Sequence, residues 1–429
     1  MSVNMTKIEI NNGRLVDAAN KLDQVQSLYI DGDRIAAIGA VPVGWKADKV
    51  IDASGKLICP GLIDLCARLR EPGLEHKATL ESEMLAAVAG GVTALVCPPD
   101  TDPVLDEPGL VEMLKRRAGA IDQARVYPLG ALTAGLQGEK LTEMVELTEA
   151  GCIGFTNANQ PIVDTVVLYR AMQYAATYGY AVWLRPEEAH LARGGMAHDG
   201  EVASRLGLAG IPVSAETVAI ATIVMLMRDT GARVHLARLS SRLGVDLVRA
   251  AKAEGLPLTC DVGIHHLLLS DRDIGHFDSQ YRFAPPLRSP SDRDALSRGV
   301  IDGTIDAICS DHSPVDDDAK HVPFGEAEPG ATGLEMLLPL TLKWAAGAGV
   351  STPAALHKVT GCAARLLGLD SGVLAIGAPA DLCIFDPAAF WAVTPQTLRS
   401  QGKNTPYLRR EMQARVAMTV VGGRVVYTA

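Results

Sequence analysis

Short apolar segments alternate with amphipathic segments through the middle of the chain, and this alternation restricts the fold more than any other feature. Segments with helical periodicity, such as Val166–Tyr178 and Ala215–Asp229, separate most of the apolar segments. The eight apolar segments of strand length are Leu57–Leu65, Ala94–Cys97, Val126–Leu129, Cys152–Phe155, Ala181–Leu184, Val234–Ala237, Leu258–Asp261 and Ile305–Cys309. Eight strand-helix units predict an α/β protein with a TIM-type (β/α)8 barrel.

A doubly wound open sheet is the alternative architecture for the same alternation. Its usual mark is a glycine-rich phosphate-binding loop directly after the first strand. No such loop follows Leu57–Leu65, so the barrel is the favoured prediction. A length of 429 residues suits a barrel with a small additional domain.

Both ends of the chain have the pattern of short strands joined by turns. Turn sequences such as Asp31-Gly32-Asp33 and Gly422-Gly423 lie between them. The predicted strands are Lys7–Asn11, Ser27–Ile30, Arg34–Ile38, Val50–Asp52, Asp381–Asp386, Met418–Val421 and Arg424–Tyr427. We therefore predict a small β-sandwich domain built from residues 1–56 and 371–429, with the barrel over residues 57–370.

Composition argues against several kinds of partner. A net charge of −10 does not fit a nucleic-acid-binding surface, which needs basic patches. The N-terminal residues lack the apolar stretch of a signal peptide, and the longest apolar segment, Val218–Met227, is too short to span a bilayer. The eight cysteines form no Cys-x-x-Cys pair. We expect a cytoplasmic protein with reduced thiols that binds neither nucleic acid nor membrane.

The segment from Pro60 to Gly73 leads from a strand into a polar turn. It reads Pro-Gly-Leu-Ile-Asp-Leu-Cys-Ala-Arg-Leu-Arg-Glu-Pro-Gly. This segment resembles the signature of the dihydroorotases, in which Pro-Gly-Leu-Ile-Asp-Leu is followed by His-x-His and then by Leu-Arg-Glu-Pro-Gly. Cys66 and Arg68 stand at the two histidine positions.

Further segments in the order of that family extend the resemblance over nearly the whole chain. They are Cys97–Pro103, Phe155–Asn157, His235–Ser241, His265–Leu268, Pro285–Arg288, Ser310–Pro314, Thr332–Glu335 and Gly377–Leu382. Together they imply the cyclic amidohydrolase fold. In a barrel of this kind, the active-site residues lie at the carboxyl ends of the strands.

The resemblance implies a site for two metal ions, but the residues at its positions are poor ligands. Active relatives resemble one another in supplying histidines, an aspartate or carboxylated lysine, and an aspartate after the eighth strand. A metal needs imidazole, thiolate or carboxylate donors, and a guanidinium has no lone pair to give. The corresponding positions here are Cys66, Arg68, Asn157, Arg185 and Arg238, and only Asp311 is retained. We therefore expect no zinc or other cofactor, no catalytic residue, and a vestigial Asp311.

The positions that resemble the substrate site are altered as well. The resemblance implies that Arg70 is the clamp for the dihydroorotate carboxylate, while Asp100 replaces its asparagine partner. The charge of Asp100 would repel an anionic substrate. We expect Arg70 and Asp100 to be remnants of the substrate site that form an ion pair with each other.

Three of the lost ligand positions carry arginine, which suggests a replacement of charge. Two divalent metals would contribute four positive charges at the barrel mouth. We predict that these arginines take over much of that charge and stabilise nearby carboxylates. The arginines are Arg68, Arg185 and Arg238, and their expected partners are Asp311, Asp64 and Glu187.

The altered positions favour a catalytically inactive protein. The chain is similar to the inactive dihydroorotase-like proteins of bacteria, which implies a complex with aspartate transcarbamoylase in pyrimidine biosynthesis. In such a complex the chain would act as a scaffold or regulatory subunit, and it would also associate with itself. Two alternatives stay open. One is an amidohydrolase with altered or mononuclear metal chemistry, and the other is a sensor whose arginine-lined barrel binds an anionic metabolite.

Overall fold

Eight parallel strands follow one another around the centre of the computed structural model, which describes residues 6–429. Each strand pairs with the next along the chain, and the third does so in two pieces. A parallel bridge between Ala67 and His312 joins the last strand to the first. The eight barrel strands, first to eighth, are Leu62–Asp64, Val92–Cys97, Arg125–Pro128 with Gly130–Ala131, Phe155–Thr156, Ala181–Leu184, Arg233–Leu236, Leu258–Gly263 and Ala307–Cys309.

Helices alternate with these strands, and most of them pack on a neighbouring helix. Two of them show clear capping: Thr79 and Ser82 form a capping box at the start of Leu80–Ala89, and Gly231 ends the helix that precedes the sixth strand. The helices are Leu80–Ala89, Pro108–Ile121, Met144–Ala150, Thr165–Tyr178, Ala189–Ala192, Glu201–Leu206, Val213–Thr230, Arg242–Ala253, Pro290–Asp302, Leu337–Ala348, Thr352–Lys358 and Gly361–Leu367. Within the described residues, none of the helices has the length and apolar character needed to cross a membrane.

Short elements complete the chain between the longer ones. Two short strands pair with each other before the helix Val213–Thr230, and single turns of 3-10 helix lie mainly in the loops after the barrel strands. The strands are Ala197–His198 and Gly210–Ile211, and the 3-10 turns are Ala134–Leu136, Ile264–Leu267, Asp271–Ile274, Ser279–Tyr281, Asp318–Lys320 and Leu334–Met336.

The two chain ends meet in a pair of facing sheets, as the sequence predicts. The four-stranded sheet contains, in spatial order, Arg34–Ile38, Leu28–Asp31, Lys7–Asn11 and Lys49–Asp52. The six-stranded sheet contains Arg424–Thr428, Glu411–Val421, Leu382–Ala392, Leu57–Pro60, Arg14–Asp17 and Leu22–Val25. Alternate residues of both sheets, among them Ile10, Ile30, Ile58 and Ile384, are buried in one apolar cluster. Burial of this shared core holds the N- and C-terminal segments together.

The predicted strand Leu57–Leu65 is divided at Gly61. Residues Leu57–Pro60 pair with the terminal strands, and only Leu62–Asp64 belongs to the barrel. The chain passes close to the second barrel strand at this point, since a Cβ on Gly61 would lie 2.2 Å from Thr93 Oγ1. The pairing therefore extends the terminal sheets through Pro60, beyond the boundary predicted after residue 56.

The buried side of the strand Leu382–Ala392 provides a test of the shared core. Ile384 pairs with Ile58 and Met418 and is 1% exposed, whereas Phe390 on the same strand is 65% exposed. We expect Ile384→Ala to lower the free energy of unfolding by about 2–5 kcal/mol, because it opens a cavity. Phe390→Ala is the matched control and should have little effect. Equal urea midpoints for the two variants would contradict a core shared by both chain ends.

Candidate functional site at the barrel mouth

The residues predicted to occupy the metal positions lie at the carboxyl ends of the barrel strands. Cys66 and Arg68 follow the first strand, Arg185 the fifth, Arg238 the sixth and Asp311 the eighth. Arg238 and Asp311 have left-handed backbones with φ of 61° and 49°. Such conformations disfavour residues other than glycine and often occur at functional positions.

The Asp311 carboxylate lies between two guanidinium groups. Arg238 Nη1 donates to Asp311 Oδ1 at 2.9 Å, and Arg68 Nη1 lies 3.6 Å from the same oxygen. The Asp311 side chain is 2% exposed and both arginine side chains are 4% exposed. Cys66 Sγ also approaches Asp311 Oδ1 at 3.8 Å. A buried carboxylate needs such compensation, because its charge has lost the solvation of water.

Asp100 pairs with Arg68, so the predicted ion pair between Arg70 and Asp100 is wrong. Arg68 Nε donates to Asp100 Oδ2 at 2.7 Å, and Arg68 Nη1 donates to Ser313 Oγ at 2.9 Å. Arg70 has a left-handed backbone, with φ of 64°, and its Nε donates to the carbonyl oxygen of Pro314 at 2.9 Å. Burial and the charge of Arg68 lower the pKa of Arg70.

Asn159 joins two of the arginines, and sequence reasoning did not identify it. Arg238 Nη2 donates to Asn159 Oδ1 at 2.6 Å, and Arg185 Nη2 donates to the Asn159 carbonyl oxygen at 2.9 Å. Arg185 makes a bidentate ion pair with Glu187, at 2.5 and 2.6 Å. Glu187 is thus a partner as predicted, but no ion pair joins Arg185 to Asp311 within residues 6–429.

Asp64 is the one expected partner that contacts no arginine in the described chain. It accepts hydrogen bonds from Ser310 N at 2.7 Å and from Ser310 Oγ at 2.5 Å. Burial raises the pKa of Asp64 to about 6, and the Ser310 hydrogen bonds oppose this shift. Asp64 therefore fixes the start of the loop after the eighth strand.

Asn157 connects two loops, and none of its side-chain hydrogen bonds in the described residues goes to Asp311. Its Oδ1 accepts from Thr133 Oγ1 at 2.7 Å, while its Nδ2 donates to the carbonyl oxygens of Leu136 and Gln160 at 3.2 and 3.1 Å. The amide is therefore engaged on both sides. In place of a bridging ligand, it holds together the loops after the third and fourth strands.

His312 follows the eighth strand and stabilises the end of that strand through buried hydrogen bonds. Its ring is buried, Nε2 lies 2.7 Å from Glu83 Oε2, and Nδ1 accepts from Gly333 N at 3.0 Å. Because Nδ1 accepts, the proton belongs on Nε2, which then donates to Glu83. Glu83 lies on the helix Leu80–Ala89, so His312 fastens the strand end to that helix.

The donor atoms at the mouth do not fit a metal ion. Cys66 is the only residue besides Asp311 among these positions with a good donor atom, and burial raises the pKa of its thiol to about 12. The Asp311 carboxylate already forms ion pairs with Arg68 and Arg238. Anywhere in residues 6–429, no group of three or more histidine, cysteine, aspartate or glutamate side chains is arranged to hold a metal. A catalytic zinc needs three such ligands and a structural zinc needs four.

A parallel barrel capped by sheets from both chain ends, with polar residues after the barrel strands, is the architecture of the amidohydrolases. The chain matches the family described as Dihydro-orotase-like over residues 55–243 and the Amidohydrolase family over residues 217–427. The L-hydantoinase (dihydropyrimidinase) of Arthrobacter aurescens superposes with a TM-score of 0.88 at 25% identity, covering 99% of this chain and 96% of that one. The D-hydantoinase of a Thermus species shares the fold, with a TM-score of 0.81 at 22% identity, covering 98% of this chain and 95% of that one.

Relatives that match over nearly the whole length of the chain identify its family more specifically. A dihydroorotase-like protein of Pseudomonas aeruginosa is 43% identical over 420 residues, which cover 98% of this chain and 99% of that protein. A protein of Syntrophotalea carbinolica named dihydroorotase is 39% identical over 421 residues, with the same coverage. The chain belongs to the dihydroorotase-like family of amidohydrolases.

Coupling between Arg238 and Asp311 can be measured with a double-mutant cycle. Arg238→Met keeps much of the side-chain volume but leaves Asp311 without its closest cation, and breaking a buried pair typically costs about 3–5 kcal/mol. Asp311→Asn should offset part of this loss when combined with Arg238→Met. Arg185→Met is the matched control, and its coupling to Asp311→Asn should be much smaller because Arg185 pairs with Glu187. Additive effects of the Arg238 and Asp311 substitutions on the unfolding free energy would contradict the pair.

Proposed function

We propose that this chain is a catalytically inactive dihydroorotase-like protein that serves aspartate transcarbamoylase as a scaffold or regulatory subunit in pyrimidine biosynthesis. The proposed inactivity rests on one observation, the pairing of Asp311 with Arg68 and Arg238. A binuclear hydrolase uses its metals to generate hydroxide and to polarise the scissile carbonyl. Guanidinium groups supply positive charge but no open coordination position, so they cannot activate water in this way.

The contacts on the substrate side also support inactivity. The Arg70 guanidinium remains at the mouth, but the neighbouring Asp100 carboxylate is held by Arg68 Nε at 2.7 Å. An anionic substrate approaching Arg70 would meet this carboxylate. Activation of water thus lacks the groups that it requires, and the charge of Asp100 opposes binding of a substrate carboxylate at Arg70.

Dihydroorotate turnover is the direct test of inactivity. The purified chain should not open the dihydroorotate ring or close carbamoyl aspartate above the buffer rate. The double variant Cys66→His with Arg68→His should stay inactive, because Asn157, Arg185 and Arg238 still lack metal-binding groups and residues that act as a unit are not additive. The dihydroorotase of Syntrophotalea carbinolica, assayed with the same zinc supply, is the control. Turnover by the double variant would show that Cys66 and Arg68 are the only two residues that prevent catalysis.

An amidohydrolase with altered or mononuclear metal chemistry is the second candidate. It is favoured by the name dihydroorotase given to relatives that are 39–40% identical over 98% of the chain. The same assay separates the candidates, since zinc-dependent turnover by the unaltered chain would support this one.

An anion sensor is the third candidate, supported by the absence of a carboxylate within 4.0 Å of the Arg70 guanidinium in residues 6–429. Thermal stabilisation by carbamoyl aspartate that is lost in Arg70→Met would support the sensor.

The proposed partner rests on resemblance to the inactive dihydroorotase-like proteins of bacteria. A fold retained over the whole chain without metal ligands is well explained by a binding role, although fold alone does not define a function. The relatives from Pseudomonas aeruginosa and Pseudomonas putida, each 43% identical to this chain, carry the name dihydroorotase-like. Self-association of the chain belongs to the same proposal.

Association is tested by mixing the chain with aspartate transcarbamoylase from the same organism. We expect a single heavier species in sedimentation velocity at micromolar concentration, because the proposed complex is a stable assembly. The L-hydantoinase of Arthrobacter aurescens shares the fold and is the control for non-specific association. Independent sedimentation of the two proteins would rule out the proposed scaffold role.

A further inference from the structure

A cavity of about 340 Å3, lined by both polar and apolar residues, opens at the end of the barrel opposite Asp311. Its wall includes the amino-terminal ends of barrel strands, at Ala181 and Arg233, and parts of the helices Thr352–Lys358 and Gly361–Leu367. This end of a TIM barrel normally contributes to stability and carries no active site. Its volume lies in the range of about 300–1,000 Å3 that is usual for small-molecule sites.

Three cationic side chains line this cavity without a carboxylate partner. Among the residues that the structure describes, no carboxylate oxygen lies within 4.0 Å of the charged nitrogens of Arg233, Lys358 or Arg365. Arg233 Nη1 donates to the Gly179 carbonyl oxygen at 3.3 Å, and Lys358 Nζ donates to the Ile305 carbonyl oxygen at 3.1 Å. These neutral contacts orient the side chains but do not balance their charges.

The single carboxylate in the wall of the cavity is already neutralised. Asp306 Oδ2 accepts from Lys252 Nζ at 2.5 Å and from Cys260 N at 2.8 Å. The wall therefore keeps an excess of positive charge in a chain whose net charge is −10. Arg233 and Arg365 are exposed and Lys358 is half-buried, so salt should screen the attraction of this cavity for an anion.

The remaining wall contains polar and apolar residues, among them Thr259, Trp183 and Leu366. His235 lies between Thr259 Oγ1 at 2.9 Å and Asp261 Oδ2 at 3.0 Å, and its ring contacts Trp183 with centroids 4.1 Å apart. A ligand with an anionic group and a small polar body would match this arrangement. Arginine forks suit the oxygens of a phosphate, and a lysine adds a further charge.

We propose that this cavity binds the phosphomonoester of a small polar molecule, with the phosphate held by Arg233, Lys358 and Arg365. The site is separate from the barrel mouth and does not depend on the proposed loss of hydrolase activity. Ligand binding there would stabilise the junction between the barrel strands and the last two helices of the barrel.

Calorimetric titration at low ionic strength tests this site with ribose 5-phosphate, inorganic phosphate and ribose. Ribose 5-phosphate should bind most tightly and ribose not at all, and added salt should weaken binding. Arg365→Ser and Lys358→Met should each weaken binding about tenfold or more, as expected for a lost charged hydrogen bond. Arg298→Ser is the control, because Arg298 is exposed and lies outside the cavity.

Cys362 gives an independent measurement in the unaltered protein. It lines the cavity and is partly exposed, whereas the other seven cysteines are buried. Ribose 5-phosphate should slow the alkylation of Cys362, measured by mass spectrometry at mildly alkaline pH, and this protection should disappear in Arg365→Ser. Three results would overturn the proposal: no binding at millimolar concentration, equal affinity in the cavity variants and Arg298→Ser, or inorganic phosphate binding as tightly as the ester.

Discussion

The pairing of one buried carboxylate with two guanidinium groups organises the mouth of this barrel. Asp311 is 2% exposed, and an isolated charge at that depth would be unstable. Arg238 links it to Asn159 and to the Ala284 carbonyl oxygen, and Arg68 links it to Asp100 and Ser313. The loops after the first, second, fourth, sixth, seventh and eighth strands are thereby tied to one ionic cluster.

The same cluster is what the proposed inactive protein would need in order to keep its fold without metal ions. In a binuclear amidohydrolase, the cations compensate the carboxylate and connect the strand ends through their ligands. Here Arg68 and Arg238 compensate Asp311 by direct contact and reach the neighbouring loops through hydrogen bonds. Arg185 contributes separately, through Glu187 and the Asn159 backbone. We therefore propose that the three arginines contribute unequally to the replacement of the metal charge. Arg68 and Arg238 compensate Asp311 directly, whereas Arg185 pairs with Glu187 and does not contact Asp311.

Much of this arrangement could be predicted from the sequence, because the barrel fixes where strand ends lie. The order of the apolar segments was enough to predict that Arg68, Arg238 and Asp311 lie at the same end of the barrel. The strands at the chain termini were also predicted, although Arg14–Asp17 and Leu22–Val25 were missed because their polar residues hide the alternation. The terminal strands Leu382–Ala392 and Glu411–Val421 extend well beyond the predicted segments.

Other features depend on geometry that a single sequence does not reveal. Arg70 has a left-handed backbone that no local signal marks, and its side chain donates to the Pro314 carbonyl oxygen instead of pairing with Asp100. Asn159 stands out only when Arg185 and Arg238 are seen on either side of it. The cavity lined by Arg233, Lys358 and Arg365 brings together residues from distant parts of the chain.

Anomalous diffraction from crystals soaked in zinc tests directly whether the arginines have replaced the metals. Data collected on both sides of the zinc absorption edge locate any bound zinc independently of the protein density. We predict no anomalous peak within bonding distance of Asp311 or Cys66, with the Arg68 and Arg238 guanidinium groups in contact with the Asp311 carboxylate. A zinc ion bonded to Asp311, with either arginine displaced from it, would contradict the replacement of metal charge by arginine.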